Sequence, residues 1–436
     1  MKNISDSNDI LPALKARQNV FITGSAGSGK TYFASNFSEL VPYSVLTATT
    51  GVAALNLGGE TVHRFLGLGI TSRPEEAGKV IGRWEKIKKS SSPWDIAKWS
   101  LAQSLQTLII DECSMMRRDT FELIDVVLSH IKNNPLAFGG VQICLVGDFA
   151  QLPPVVSTSD AFMYPDLKDP YCFQSNLWNQ ANFQSFNLTT NYRQGEGLFL
   201  NALEKIRRGE ITSEIEDMFN SRVGVDLKIP MSPVKLFSHK VDVNKENMDC
   251  LQKLPGEKYV SEAEFEGKDY DVGILSKECP AEKSLYFCKG AQVMMLTNDP
   301  AGRWVNGTLG IIRSCSPLCV QLSNNLTVSV AMHGWERCVP YLDKSNGTIR
   351  SQTVAKMRQY PIALAWSSSI HKSQGLSLDY VEADLSKCFS PGQAYVALSR
   401  VKTLEGLKLV GWNKKSIFAD ERVKKFYGTY NSNSIL

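Results

Sequence analysis

Asn19-Val-Phe-Ile-Thr23, followed at once by Gly24-Ser25-Ala26-Gly27-Ser28-Gly29-Lys30-Thr31, is the stretch on which the architecture turns. The first five residues are a short apolar run of buried-strand type. The next eight fit G-x-x-x-x-G-K-[S/T], and a helical pattern follows, which is the setting this motif needs. Glycines let main-chain N–H groups wrap phosphate oxygens. Lys30 falls to the β- and γ-phosphates, and Thr31 offers its hydroxyl to Mg²⁺. The helix that follows aims its positive end at the anion. A chance glycine-rich turn would lack these flanks.

Working outward, Ser44–Ala48, Leu108–Asp111 and Ile143–Val146 are further short apolar runs. Strands alternating with helical stretches predict an α/β parallel sheet with helices on both faces. Leu108-Ile-Ile-Asp111-Glu112 ends its strand in two carboxylates. Asp111 would join Thr31 on Mg²⁺, and Glu112 would polarise the attacking water. Adjacent acids at a strand end are otherwise solvated loop charges; the phosphate loop upstream favours the chemical reading. Gly147-Asp148-Phe-Ala-Gln151-Leu-Pro-Pro154 follows the next strand, with Gln151 placed to sense a γ-phosphate and paired prolines stiffening the loop. Arg193, in Leu188-Thr-Thr-Asn-Tyr-Arg-Gln194, and Arg400, in Gly392-Gln-Ala-Tyr-Val-Ala-Leu-Ser-Arg400, could be surface salt-bridge residues. Phosphoryl transfer, however, needs added positive charge in its transition state, and arginines supply it. Ser367-Ser-Ser-Ile-His371-Lys-Ser-Gln-Gly375 has the hydroxyls, imidazole and glycine that suit phosphate contact.

A chain of 436 residues is long enough for about three domains, or two with insertions. With 43% hydrophobic and 21% charged residues it reads as globular, and no apolar run approaches a membrane span. The first 18 residues lack a signal-peptide or transit pattern, so an intracellular protein is expected. A net charge of +4 is too small to establish a nucleic-acid partner. The ten cysteines read as reduced thiols. Cys315, Cys319, His333 and Cys338 lack the tight paired spacing of a zinc site, so their expected role is structural. Arg73 to Lys98 holds seven Lys/Arg against four Asp/Glu, with Trp84, Trp94 and Trp99, and reads as a helical insertion. A solvated face is its plain reading; a DNA-facing one is kept for the tryptophans. A second alternating region starts at Val234, with strands expected at Lys235–Ser238, Ile362–Trp366, Val381–Leu385 and Leu407–Val410. Between them, Gln292–Leu296, Leu309–Ile312, Val320–Leu322 and Leu326–Val330, with Asn306-Gly307 and Asn346-Gly347 turns, suggest a small β-barrel. The tail from Val423 reads as a short helix followed by polar residues.

Together these segments resemble the superfamily-1 DNA helicases, above all the petite-integration-frequency family, relatives of the RecD-type motors. The resemblance runs over about residues 19–412. It is most specific in Thr47-Ala-Thr-Thr-Gly-Val-Ala-Ala54, Gly59-Glu-Thr-Val-His63-Arg-Phe65, Phe138-Gly-Gly-Val-Gln142, His371-Lys-Ser-Gln-Gly375 and Tyr395-Val-Ala-Leu-Ser-Arg-Val401. Met116–Phe138 resembles the family's extra signature. The fold implied is two RecA-like P-loop NTPase cores, residues 1–66 with 101–190 and 191–256 with 361–436. A wedge at 67–100 would be inserted in the first and an SH3-like β-barrel at 257–360 in the second. The activity implied is ATP-driven 5′-to-3′ translocation on single-stranded DNA, opening duplexes and G-quadruplexes, by a monomer or a transient dimer on DNA, with no membrane partner. By the same resemblance Lys30, Thr31, Asp111 and Glu112 handle MgATP, Gln151 and Gly375 meet the γ-phosphate, and Arg193 and Arg400 are fingers. Thr47, Thr49, His63 and Phe65 would line the strand path on the first core, and Ser238, His239, His371 and Lys372 on the second. DNA repair, recombination and telomere maintenance are the processes it implies.

The sequence also departs from the family. The only glutamine before the first strand, Gln18, lies too close to it to read adenine, and a usual hydroxyl-rich segment reads Phe237-Ser-His-Lys240. A compact enzyme of a bacterium or phage-infected cell is expected, acting in the cytoplasm or nucleoid. Two other functions fit the same residues: a motor directed at RNA–DNA hybrids, and an NTP-switched single-strand binder that does not unwind.

Overall fold

The computed structural model describes residues 1–4, 7–69, 73–156, 160, 162, 164, 168–195, 197–229, 231–238, 243–343, 345 and 348–432. The first core is a seven-stranded, wholly parallel sheet. Its spatial order is Lys2–Ile4, Gln184–Leu188, Val20–Gly24, Gln142–Val146, Thr107–Asp111, Ser44–Ala48 and Glu60–Thr61. Strands 20–24, 107–111 and 142–146 are buried throughout, as their unbroken apolar runs require of a sheet covered on both faces. The signature segment forms the helix Arg118–Lys132, which buries Phe121, Ile124, Leu128 and Ile131 along one stripe. It stops at Asn133, whose φ of 49° is the left-handed cap that asparagine tolerates.

The expected wedge is a pair of helices, Ala77–Lys89 and Pro93–Ser104, and the second runs past the expected boundary at residue 100. Trp84 does not face a nucleic acid: it is 2% exposed within the first core's apolar cluster, and its indole N–H donates to Leu66 O at 2.9 Å. Trp99 is half-buried at 6.3 Å from it, so of the three only Trp94 is exposed.

The second core is a four-stranded parallel sheet in the order Ser367–Ser369, Val234–Phe237, Val381–Asp384, Leu407–Gly411. Its first strand was not the expected one. The apolar run Ile362–Trp366 gives the short strand Ile362–Leu364, which pairs antiparallel with Gln292–Met295 and belongs to the inserted β-domain. The serines after it enter the core instead. That sheet has five strands, in the order Thr327–Ser329, Leu318–Leu322, Leu309–Cys315, Gln292–Met295, Ile362–Leu364. It closes over its own apolar cluster, which includes Val293, Met295, Ile312, Val320 and Ile362.

The insertion also extends an arm. His333–Asp343 and Thr348–Gln359 form a long antiparallel ribbon, joined by Glu264–Gly267. Leu342 and Ile349 near its far end pack against the first core's cluster. Arg64 Nη1 pairs with Glu278 Oε1 at 2.9 Å between the same two bodies. Cys315 and Cys319 lie on neighbouring strands of the five-stranded sheet, whereas His333 and Cys338 lie on the ribbon. The expected Asn346-Gly347 turn lies outside the described residues.

The final helix, Glu421–Ser432, returns to the first core: Val423 sits in its cluster, and Phe426 stacks on Phe173 at 4.3 Å. Residues 361–436 therefore do not all pack with the second core. Among the described residues no helix is long and apolar enough to cross a membrane.

Candidate functional site

The phosphate loop leaves the centre of the first sheet at Gly24, where a side chain would come within 2.8 Å of Leu188 O. Gly27 and Gly29 have φ of 90° and 79°, a left-handed backbone that glycine adopts without strain. The helix Lys30–Leu40 begins at once. Lys30 Nζ donates to Gly24 O and Ser25 O, each at 2.8 Å. Burial pushes the Lys30 ammonium's pKa down, with Asp148 the foremost group opposing it. Residues 24–31 thus form a concave turn of main-chain donors around a lysine, which suits an anion.

Asp111 and Glu112 lie on the neighbouring strand end. Asp111 is 2% exposed, and its Oδ1 accepts from Glu112 N at 2.8 Å, while Oδ2 has no hydrogen-bond partner among the described residues. Burial raises its pKa; the Thr31 hydroxyl and Lys30 favour the charged form. A buried carboxylate oxygen left open beside a hydroxyl is a donor set that fits a hard divalent cation such as Mg²⁺. Glu112 is held at φ 53°, unusual for a residue with a side chain. Thr49 sustains that conformation: its hydroxyl donates to Glu112 O at 2.8 Å and its N–H to Asp111 O at 3.1 Å. Burial, then the neighbouring Asp111 charge, push the Glu112 carboxyl up to about 7, where a carboxylate can take a proton near neutral pH.

The second core closes the site with amides and guanidinia. Gln374 Nε2 donates to Glu112 Oε2 at 3.2 Å and Gln151 Oε1 at 3.3 Å, linking the two cores. Arg193, whose Cβ lies 2.6 Å from where one on Gly27 would sit, donates to Ser377 Oγ at 2.8 Å, Ser399 O at 3.0 Å and Gly375 O at 3.1 Å. Arg400 is 1% exposed and donates to Val396 O at 2.8 Å and Ser399 Oγ at 2.7 Å. Neither arginine makes an ion pair among the described residues. Burial lowers both: Arg193 to about 10, and Arg400 well below its ordinary value, with Arg193's own charge adding to the effect. A buried and a half-buried cation satisfied only by neutral oxygens form a site for a polyanion.

The expected strand-path residues fare differently. Thr47 is fully buried and its hydroxyl donates to Ile109 O at 2.8 Å, so it pins two strands together and does not line a groove. Phe65 is likewise in the first core's cluster, 5% exposed, and offers no face for stacking. Ser238 is buried, with its carbonyl accepting from Gln393 Nε2 at 2.8 Å. Thr49 and His63 are half-buried, and burial lowers the His63 imidazole's pKa. His371 and Lys372 are exposed. His239 lies outside the described residues.

Two residues at the site escaped the sequence reading. Gln374 belongs to His371-Lys-Ser-Gln-Gly375, beside Gly375. Tyr192 precedes Arg193; it is exposed, with ring atoms 3.3 and 3.4 Å from where a Cβ on Gly29 would stand, so an aromatic face flanks the phosphate loop.

The family model for PIF1-like helicases matches residues 8–217. The chain is 34% identical to the ATP-dependent DNA helicase Pif1 of Bdellovibrio bacteriovorus, over 96% of this chain and 90% of that one. Among solved structures, Bacteroides sp. Pif1 in complex with ADP-AlF4 superimposes with a TM-score of 0.85 at 31% identity, covering 98% and 96% of the two chains. The Bacteroides Pif1 bound to single-stranded DNA gives 0.65 at 30% identity, covering 99% and 97%.

Proposed function

The chain belongs to the PIF1-like helicases, and from that premise we propose how its residues divide the work of an ATP-dependent DNA helicase. Such an enzyme hydrolyses ATP, moves along single-stranded DNA and separates the duplex ahead. Residues 24–31 would hold the triphosphate. Thr31 and Asp111 would hold Mg²⁺, which supplies charge neutralisation at the β- and γ-phosphates. Glu112 takes the proton of the attacking water, and Gln151 orients that water. Arg193 and Arg400 stabilise the charge that develops on the transferred phosphoryl group.

The observation that carries this reading is the convergence of Gln374 and two guanidinia, which make no ion pair among the described residues, on Glu112 and the phosphate loop. A cleft built this way closes on a triphosphate and relaxes once the γ-phosphate leaves. Alternation of that kind drives His371 and Lys372, exposed on the second core, along a phosphate backbone. A switch without a motor would need neither arginine.

We assign 5′-to-3′ movement, activity on G-quadruplexes and a transient dimer on DNA to this chain on family grounds. A solved structure of two coordinating Pif1 helicases at forked duplex DNA supports the last. Tyr192 is proposed to stack on the nucleotide base, which favours no particular base. The test is strand displacement on duplexes with a 5′ or a 3′ tail, with Lys30→Ala beside wild type. Unwinding of the 5′-tailed substrate alone, lost in the variant while single-strand binding persists, is expected. Hydrolysis retained by Lys30→Ala would overturn the site.

A further inference from the structure

The carboxyl of Asp148 is fully buried just beyond strand Gln142–Val146, where three parts of the chain meet. Its own loop supplies Ala150 N, 3.1 Å from Oδ1. Arg207, the last residue of the helix Leu198–Arg207 in the second core, donates Nε to Oδ2 at 3.0 Å and Nη2 to Oδ1 at 2.9 Å. The Tyr427 hydroxyl, from the returning C-terminal helix, donates to Oδ1 at 3.2 Å. That hydroxyl also accepts from Phe149 N at 3.1 Å and lies 3.0 Å from Thr23 Oγ1, one residue before the phosphate loop. Arg207 sits 5.2 Å from the Tyr427 ring.

We propose that Asp148, Arg207 and Tyr427 are positioning residues for hydrolysis, a buried joint that tunes the grip of the phosphate loop and moors the Gln151 loop to the second core. The inference rests on the reading of residues 24–31 as the ATP site. A bidentate carboxylate–guanidinium fork is stiff as well as strong. Its carboxylate holds the loop that leads to Gln151, through Ala150 N. Its helix belongs to the opposite core, so a shift between cores is felt at that loop. The two charges are opposite in sign and lie against the strand that feeds the phosphate loop, Arg207 Nη2 reaching Thr23 Oγ1 at 3.5 Å. Burial works against the Asp148 charge, yet Arg207 and then Lys30 hold its carboxyl below the usual range.

The opposite signs make the joint testable in the full-length chain. ADP affinity is measured by calorimetry and kcat by hydrolysis stimulated with single-stranded DNA. Asp148→Asn removes negative charge beside the phosphates and is expected to tighten ADP about tenfold; Arg207→Gln is expected to weaken it about tenfold. The double variant returns to within about threefold of wild type, while kcat falls at least tenfold in each single variant. Tyr427→Phe keeps every charge, so ADP affinity holds and kcat falls. A merely structural role would move both singles the same way, and that result, or shifts below about twofold, overturns the joint. Should either single variant fail to fold, Arg207→Lys and Tyr427→Phe decide: unchanged kcat in both overturns it. Wild type that hydrolyses no ATP with DNA present would instead remove the helicase reading itself.

Discussion

Replacing Glu112 with glutamine should stop turnover and stabilise the protein at alkaline pH. The unfolded chain ionises this carboxyl near 4.5, and the native site does not release the proton until about 7. Between those values the native state holds more protons than the unfolded one, so the group's contribution to stability falls as pH rises through 4.5 to 7 and then levels off. At about 1.4 kcal/mol per unit the whole shift is worth about 3 kcal/mol. The residue is half-buried rather than sealed, so solvent screening leaves about 2 kcal/mol. A glutamine cannot ionise and escapes that penalty. If the first core melts as a unit of roughly 150–250 residues, at about 2–4 °C per kcal/mol, the variant gains about 5 °C at pH 8. At pH 5 most of the penalty is absent in wild type, so the gain shrinks to about a quarter. Thermal melts at both pH values, with DNA-stimulated hydrolysis alongside, read the effect. A gain equal at the two pH values, or none at pH 8, would refute the assignment of Glu112 as a carboxylate held protonated by its surroundings.

Arg400→Ala should lower kcat by about 10³ while changing nucleotide affinity far less, because its contribution is made to the transition state; equal losses in both would make it a ground-state contact. Trp84→Ala should cost about 3–5 kcal/mol of stability as a core cavity, seen as a lowered Tm. Trp94→Ala should leave Tm unchanged and reduce base pairs opened per ATP, and an unaltered ratio would remove Trp94 from strand separation. Lys372→Ala should make the log–log salt dependence of single-strand binding shallower by about 0.7, the share of one phosphate; an unchanged slope would place Lys372 off the backbone.

A local motif is the most legible kind. The chemistry proposed for residues 24–31, 111–112 and 151 depends on a strand end and the turn after it, and both are written in adjacent residues. Residues whose role depends on the opposite core were less legible. Gln374 reaches Glu112 and Gln151 from far along the chain, and nothing local separates it from Gly375. Thr47 and Phe65 stand in segments that resemble strand-binding motifs, yet alternation along Ser44–Ala48 turns Thr47 toward Ile109 O, and the apolar cluster takes Phe65. Apolarity misled in the second core. Ile362–Leu364 looks like a central strand and caps the β-domain, whereas Ser367–Ser369, poor in strand propensity, is held by its ladder to Val234–Phe237 and by Asn247, whose Oδ1 accepts from Ser367 N at 2.9 Å. The C-terminal helix gave no sign of its docking site, because an amphipathic stripe says that a face is buried but not against what.

The arrangement of charge explains why such a cleft suits a motor better than a permanent binding site. A buried cation without a carboxylate partner destabilises the closed form unless something anionic arrives. Arg193 and Arg400 are two such cations, and each makes the other's charge costlier. Among the described residues Glu112 is the carboxylate that offsets both, and the neighbouring Asp111 already disfavours its ionisation. The closed form is therefore short of negative charge by itself. On the proposed reading a triphosphate would supply what is missing, and cleavage would remove the share nearest the arginines. Had evolution paired these guanidinia with fixed carboxylates, the cores would stay together whatever occupied the phosphate loop, and hydrolysis would move nothing. Leaving them with carbonyl and hydroxyl partners costs stability in the resting protein and makes closure conditional on the nucleotide, which is the property translocation requires.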